Sequence, residues 1–110
     1  MSKMSRIEML QSFAEQEPEN PFNWYALALE YQFDEPEKAA SLYHKLLNEH
    51  KSYLPTYYHA AAFFAENGEI LLAKKVYEEG IVLANEKNET NTLRELKNSY
   101  QNFIFENDLE

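Results

Sequence analysis

One hundred and ten residues with a mass of 13.0 kDa make one small domain, because two independent cores need more chain than this. Apolar residues are 45% of the chain and aromatic ones 15%, too many for a disordered segment, while Gly 2 and Pro 4 cannot supply the frequent turns of a β-sandwich or barrel. Ten basic against nineteen acidic residues leave a formal charge of −9, which repels phosphate backbones and anionic lipid, so neither nucleic acid nor membrane is expected as a partner.

The remaining class is all-α. The first eleven residues carry Lys3 and Arg6 but lack the apolar stretch of a signal peptide, and no run approaches a transmembrane span, so a cytoplasmic location is expected. Absence of cysteine leaves no disulfide, no thiolate nucleophile and no thiolate-ligated zinc.

In chain order, Ser5-x-x-Glu8 reads as a capping box ahead of Met9, Leu10 and Phe13, predicting a helix over 5–16. Asn20-Pro21 supplies the cap and first-turn proline of a second helix, whose Trp24, Leu27, Ala28 and Tyr31 share one face. Asp34-Glu35-Pro36 breaks that helix and starts a third, with Ala39, Ala40, Tyr43, Leu46 and Leu47 as its apolar face. Pro55 opens a fourth helix carrying Tyr57, Ala60, Ala61 and Phe64, which Asn67-Gly68 ends. Leu72, Ala73, Val76, Tyr77, Gly80, Ile81 and Ala84 mark a fifth. Thr92-x-x-Glu95 reads as a second capping box, ahead of Leu96, Tyr100, Phe103 and Ile104 in a sixth. Residues 107–110 read as a frayed acidic tail.

Sliding the chain against itself by 33 residues pairs Trp24 with Tyr57, Tyr25 with Tyr58, Ala28 with Ala61 and Tyr31 with Phe64. The same shift pairs Ala40 with Ala73 and His44 with Tyr77. The sequence therefore divides into a first repeat over 20–52 and a second over 53–87. A half-repeat helix (5–16) precedes them and a capping helix (90–106) follows. Ala28 against Ala40, and Ala61 against Ala73, are expected at the closest approach of each helix pair. Lys97 stands where Ala28 and Ala61 stand in the repeats, as suits a helix on which nothing further docks.

Trp24-x2-Leu27-Ala28-x2-Tyr31 followed by Ala40-x3-His44 resembles the tetratricopeptide repeat pattern. Tyr57-x2-Ala60-Ala61-x2-Phe64 followed by Ala73-x3-Tyr77 is a looser copy. Pro18 falls where the closing proline of a preceding repeat would stand, and the chain departs from the pattern at Ala28, Ala61, His44, Ser52 and Asn85. The resemblance covers residues 5–106. It implies about six helices, in antiparallel pairs stacked as a short right-handed superhelix, and a non-catalytic module that binds a peptide or protein segment.

In that family the first helix of each pair lines a concave groove. Carried over by register, the groove residues here are Phe22, Tyr25, Ala26, Leu29 and Phe33, then Tyr58, His59, Ala62 and Glu66, and finally Arg94, Asn98 and Gln101. The Lys and Asn clamp of chaperone-binding members is not matched. Its positions fall on Tyr25, Leu29, His59, Ala62, Asn91, Arg94 and Glu95, which hold a single Arg and no Lys. A basic or apolar partner segment suits the acidic chain best, and His59 would bring pH dependence to its binding. The alternative is a structural protein that pairs with a second copy as a homodimer through Phe22, Phe33 or Phe63.

Catalytic chemistry finds little support. His44 and His50 are not spaced to share a helix face as ligands, and no His-Glu-x-x-His, phosphate loop or nucleophile motif occurs, so neither a metal nor another cofactor is expected. His44 is expected to pack in place of an aromatic residue. His50 with Lys51 suits a helix C-terminus. Glu78-Glu79 and Glu35/Glu37 read as solvated helix faces, since a general acid needs a desolvated carboxyl.

Overall fold

In the computed structural model, which describes residues 2–109, the chain forms six α-helices and no strand among the described residues. They are α1 (Lys3–Gln16), α2 (Pro21–Tyr31), α3 (Pro36–Glu49), α4 (Pro55–Glu66), α5 (Ile70–Glu86) and α6 (Thr90–Glu106). The helices fall into two compact units, Met1–Thr56 and Tyr57–Glu110.

In the first unit α2 packs against both α1 and α3. α1 is capped three residues before the expected Ser5: the Ser2 hydroxyl accepts the Ser5 N–H at 3.1 Å, so Ser5 is the capped residue and not the cap. The added turn brings Lys3 to Asp34 at 2.6 Å and Arg6 to Glu30 at 2.8 Å, tying the start of α1 to the end of α2. α2 starts as expected, with Asn20 Oδ1 accepting the Phe22 N–H at 3.1 Å and Pro21 in the first turn. Its buried face is Asn23, Leu27 and Ala28. The Trp24 indole N–H donates to the Pro18 carbonyl at 3.0 Å while Lys45 Nζ stands 4.8 Å from the ring centroid, so one residue joins the entry loop to α3. α3 buries Ala39, Tyr43 and Leu46, and the Tyr43 hydroxyl donates to Gln32 Oε1 at 3.0 Å. His50 caps α3, its backbone N–H donating to the Leu46 carbonyl at 2.8 Å.

In the second unit α4 buries Tyr57, Ala60, Ala61, Phe63 and Phe64, and α5 buries Ala73, Val76, Tyr77, Gly80 and Ala84. α6 adds Leu96, Phe103 and Ile104. Ala61 and Ala73 are fully buried, but a tighter contact than any expected lies at Gly80. A Cβ there would stand 2.7 Å from Tyr57 Cβ and 3.4 Å from Leu96 Cδ1, so α4, α5 and α6 converge on a residue with no side chain. α6 starts at Thr90, ahead of the expected Thr92 box, with no side-chain cap.

The helix ends explain a register error. α4 closes on Gly68 at φ +82°, whose N–H donates to the Ala65 carbonyl while the Glu69 N–H donates to Phe64, a double-bonded Schellman cap. α2 lacks this turn, its end being closed by the Glu35 N–H on the Tyr31 carbonyl. The second copy has one more residue between matched buried positions, twelve from Ala61 to Ala73 against eleven from Ala28 to Ala39, because α4 runs one residue longer than α2. Burial along α2 and α4 repeats at the expected 33, whereas along α3 and α5 it repeats at 34: Ala39 matches Ala73, Tyr43 matches Tyr77 and Leu46 matches Gly80, all buried. His44 then matches Glu78, and both are exposed, so His44 does not take a packing role. Asn88 at φ 58° and Asp108 at φ 52° close α5 and α6 with the same pair of bonds. Residues 107–109 thus form a cap in place of the frayed tail, and Glu110 lies outside the described residues.

Candidate functional site

Each unit presents its own part of the expected binding surface. In the first, Phe22, Ala26 and Leu29 recur along one stripe of α2, and Phe33 follows in the turn after the helix. Phe33 is 79% exposed and Phe22 53%, with Ala26 and Leu29 half-buried between them. Tyr25 is less open than its register suggests. Its ring meets Tyr53 edge-on at 5.6 Å, and burial first, then the neighbouring Tyr53, raise its hydroxyl pKa above the ordinary range.

In the second unit Tyr58 is 38% exposed and meets the half-buried His59 edge-on at 5.4 Å. Burial holds the His59 pKa below its ordinary value. Ala62 and Glu66 do come together, as part of an open cleft of about 400 Å3. Ala65 joins them on α4, Tyr77 contributes from α5, and Ser99, Asn102, Phe103 and Glu106 contribute from α6. The buried Tyr77 hydroxyl lies 2.8 Å from Ser99 Oγ. Burial raises its pKa; the Ser99 hydrogen bond opposes this, and the charges of Glu106 and Glu66 are among the causes that add to it.

Arg94 and Asn98 are exposed on α6 but outside this cleft. The sequence pattern runs from Asn98 to Gln101, which does not line the cleft, whereas Asn102 and Glu106 continue at intervals of four from Arg94 and Asn98. Phe63 is buried in α4 and offers nothing to a second copy.

The acidic pairs behave as solvated faces. Glu78 is exposed, accepting from Tyr100 at 2.6 Å and Lys74 at 2.9 Å, and these two partners in that order hold its pKa below the usual carboxylate range. That direction is opposite to what a general acid requires. Glu35 pairs with Lys38 at 3.1 Å. Among the described residues no helix is long and apolar enough to cross a membrane, and no three acidic or histidine side chains converge as a metal site would require.

No family model matches the chain, and no curated protein matches it. A solved structure does: the solution NMR structure of a tetratricopeptide repeat domain protein from Salinibacter ruber is 31% identical, with a TM-score of 0.73 over 79% of this chain and 89% of that one. The fold is thus an all-α helical repeat of the kind that serves protein interaction in general and is typically non-catalytic. The chain belongs to the tetratricopeptide repeat family.

Proposed function

We propose that the chain is a non-catalytic interaction module that holds a peptide or protein segment on the outward faces of its first-position helices. α2 and α4 open the two repeats and α6 closes them, so the contact residues are Phe22, Tyr25, Leu29 and Phe33, then Tyr58, His59, Ala62 and Glu66, then Arg94 and Asn98. The observation that carries this reading is the exposure of Phe22 in the first turn of α2 and of Phe33 in the turn that follows the helix, where large apolar side chains gain most from a partner that covers them. Absence of cysteine supports a cytoplasmic setting.

Selection of a random displayed peptide library on the intact chain tests this. Selected peptides should bind wild type and lose about tenfold or more in affinity on Phe22→Ser/Phe33→Ser, each buried phenyl being worth about 1.5–3 kcal/mol. Recovery of no peptide, or undiminished binding to the double variant, overturns it.

The same two phenylalanines favour a second reading, association with another copy of the chain. Light scattering separates the two: a monomer at high concentration removes self-association, while a dimer dispersed by Phe33→Ser would establish it.

A further inference from the structure

The cleft in the Tyr57–Glu110 unit combines a volume of about 400 Å3, near the lower end of ligand sites, with an uneven lining. Ala62, Ala65 and Phe103 give it apolar surface, while Glu66 and Glu106 bring a carboxylate from each of α4 and α6. Five acidic residues elsewhere are answered by cations, Asp34 by Lys3, Glu30 by Arg6, Glu35 by Lys38, Glu49 by Lys45 and Glu78 by Lys74; what sets the cleft apart is that two unanswered carboxylates share one concave volume. Glu66 and Glu106 have no ion pair or hydrogen bond among the described residues, and neither Lys nor Arg lines the cleft. Both charges are felt at the buried Tyr77 hydroxyl, so they act on the same small volume.

Apolar surface beside two uncompensated carboxylates complements a long side chain with an aliphatic stem and a cationic head. We propose that this cleft receives the lysine or arginine side chain of a partner segment, its stem against Ala62, Ala65 and Phe103 and its charge between Glu66 and Glu106. An acidic or neutral side chain would leave both carboxylates unanswered. The inference rests on the interaction reading above and adds to it the chemistry that one unit selects.

The test uses fragments, so that it does not depend on finding the partner. The intact 15N-labelled chain is titrated with N-acetyl-arginine amide, N-acetyl-lysine amide and the uncharged N-acetyl-glutamine amide. Saturable amide shifts centred on Ser99, Asn102 and Asn107 are expected with the cationic probes and absent with the glutamine probe. Glu66→Gln/Glu106→Gln should weaken the better cation about tenfold, since charge-assisted contacts carry the binding. Both glutamates are exposed, so the variant should keep its helical circular dichroism and melting temperature. No saturable shift, equal shifts with the glutamine probe, or undiminished binding to the variant overturns the proposal. Each of those failures leaves the peptide selection and the Phe22/Phe33 test standing, and failure of that selection leaves the fragment titration unaltered.

Discussion

At position 80 two preferences oppose each other. Glycine inside a helix costs about 1 kcal/mol relative to alanine, yet a Cβ on Gly80 would approach Tyr57 Cβ to 2.7 Å, where a rigid part of the side chain has no room to swing away. Overpacking costs about 1–3 kcal/mol and should win. Gly80→Ala is therefore expected to lower the urea midpoint, and a rise would place the convergence of α4, α5 and α6 elsewhere. His59 makes a second residue-scale prediction. Its folded pKa lies below the ordinary 6.5, so below that pH the unfolded chain binds a proton that the folded chain resists. Its contribution to stability is thus present above pH 6.5 and lost as pH falls from there through the folded pKa. Wild type should lose stability faster than His59→Gln over that window in paired urea melts; parallel curves would show that His59 is not desolvated. Binding of a basic peptide in contact with His59 should weaken over the same range, and less so in His59→Gln.

At the scale of elements, helix ends decide the repeat. Gly68 lets α4, one residue longer than α2, close with a left-handed cap, and burial in α5 matches that in α3 at an offset of 34 where α4 matches α2 at 33. The offset in α2 and α4 is unaffected, which keeps Ala28 and Ala61 equivalent, while Lys97, 36 residues after Ala61, is placed with them only by the sequence pattern of α6. Ala61 is fully buried, so Ala61→Leu should cost about 1–3 kcal/mol by overpacking. Lys97 is exposed on α6, so Lys97→Leu should leave the urea midpoint nearly unchanged while lowering solubility. Equal midpoints for the two variants would refute the equivalence.

For the whole molecule, a charge of −9 sets the field that any partner meets first. Peptides recovered from an unbiased displayed library should carry positive net charge, and their association rates should fall as salt rises, because the screening length shortens from about 8 Å at physiological strength. Enrichment of acidic peptides would contradict the charge complementarity of the surface.

Much of this protein was legible from residue order alone. Asn20-Pro21, Pro36, Pro55 and Asn67-Gly68 marked helix boundaries because their backbone constraints act locally, and the paired aromatics and alanines of α2 and α4 marked the repeat because burial recurs there every 33 residues. The surface assigned to the first helix of each pair came from the family resemblance and not from the period. Three things did not follow. Capping by Ser2 comes with ion pairs from Lys3 to Asp34 and from Arg6 to Glu30, partners that a local motif does not contain. The exposure of His44 was hidden by pairing it with the buried Tyr77, whereas burial along α3 and α5 matches it with the exposed Glu78. The cleft holding Glu66 and Glu106 exists because α4, α5 and α6 fold into one unit, bringing residues forty apart in sequence to one volume. Local chemistry specified the helices; distances between side chains on different helices were set only when those helices packed.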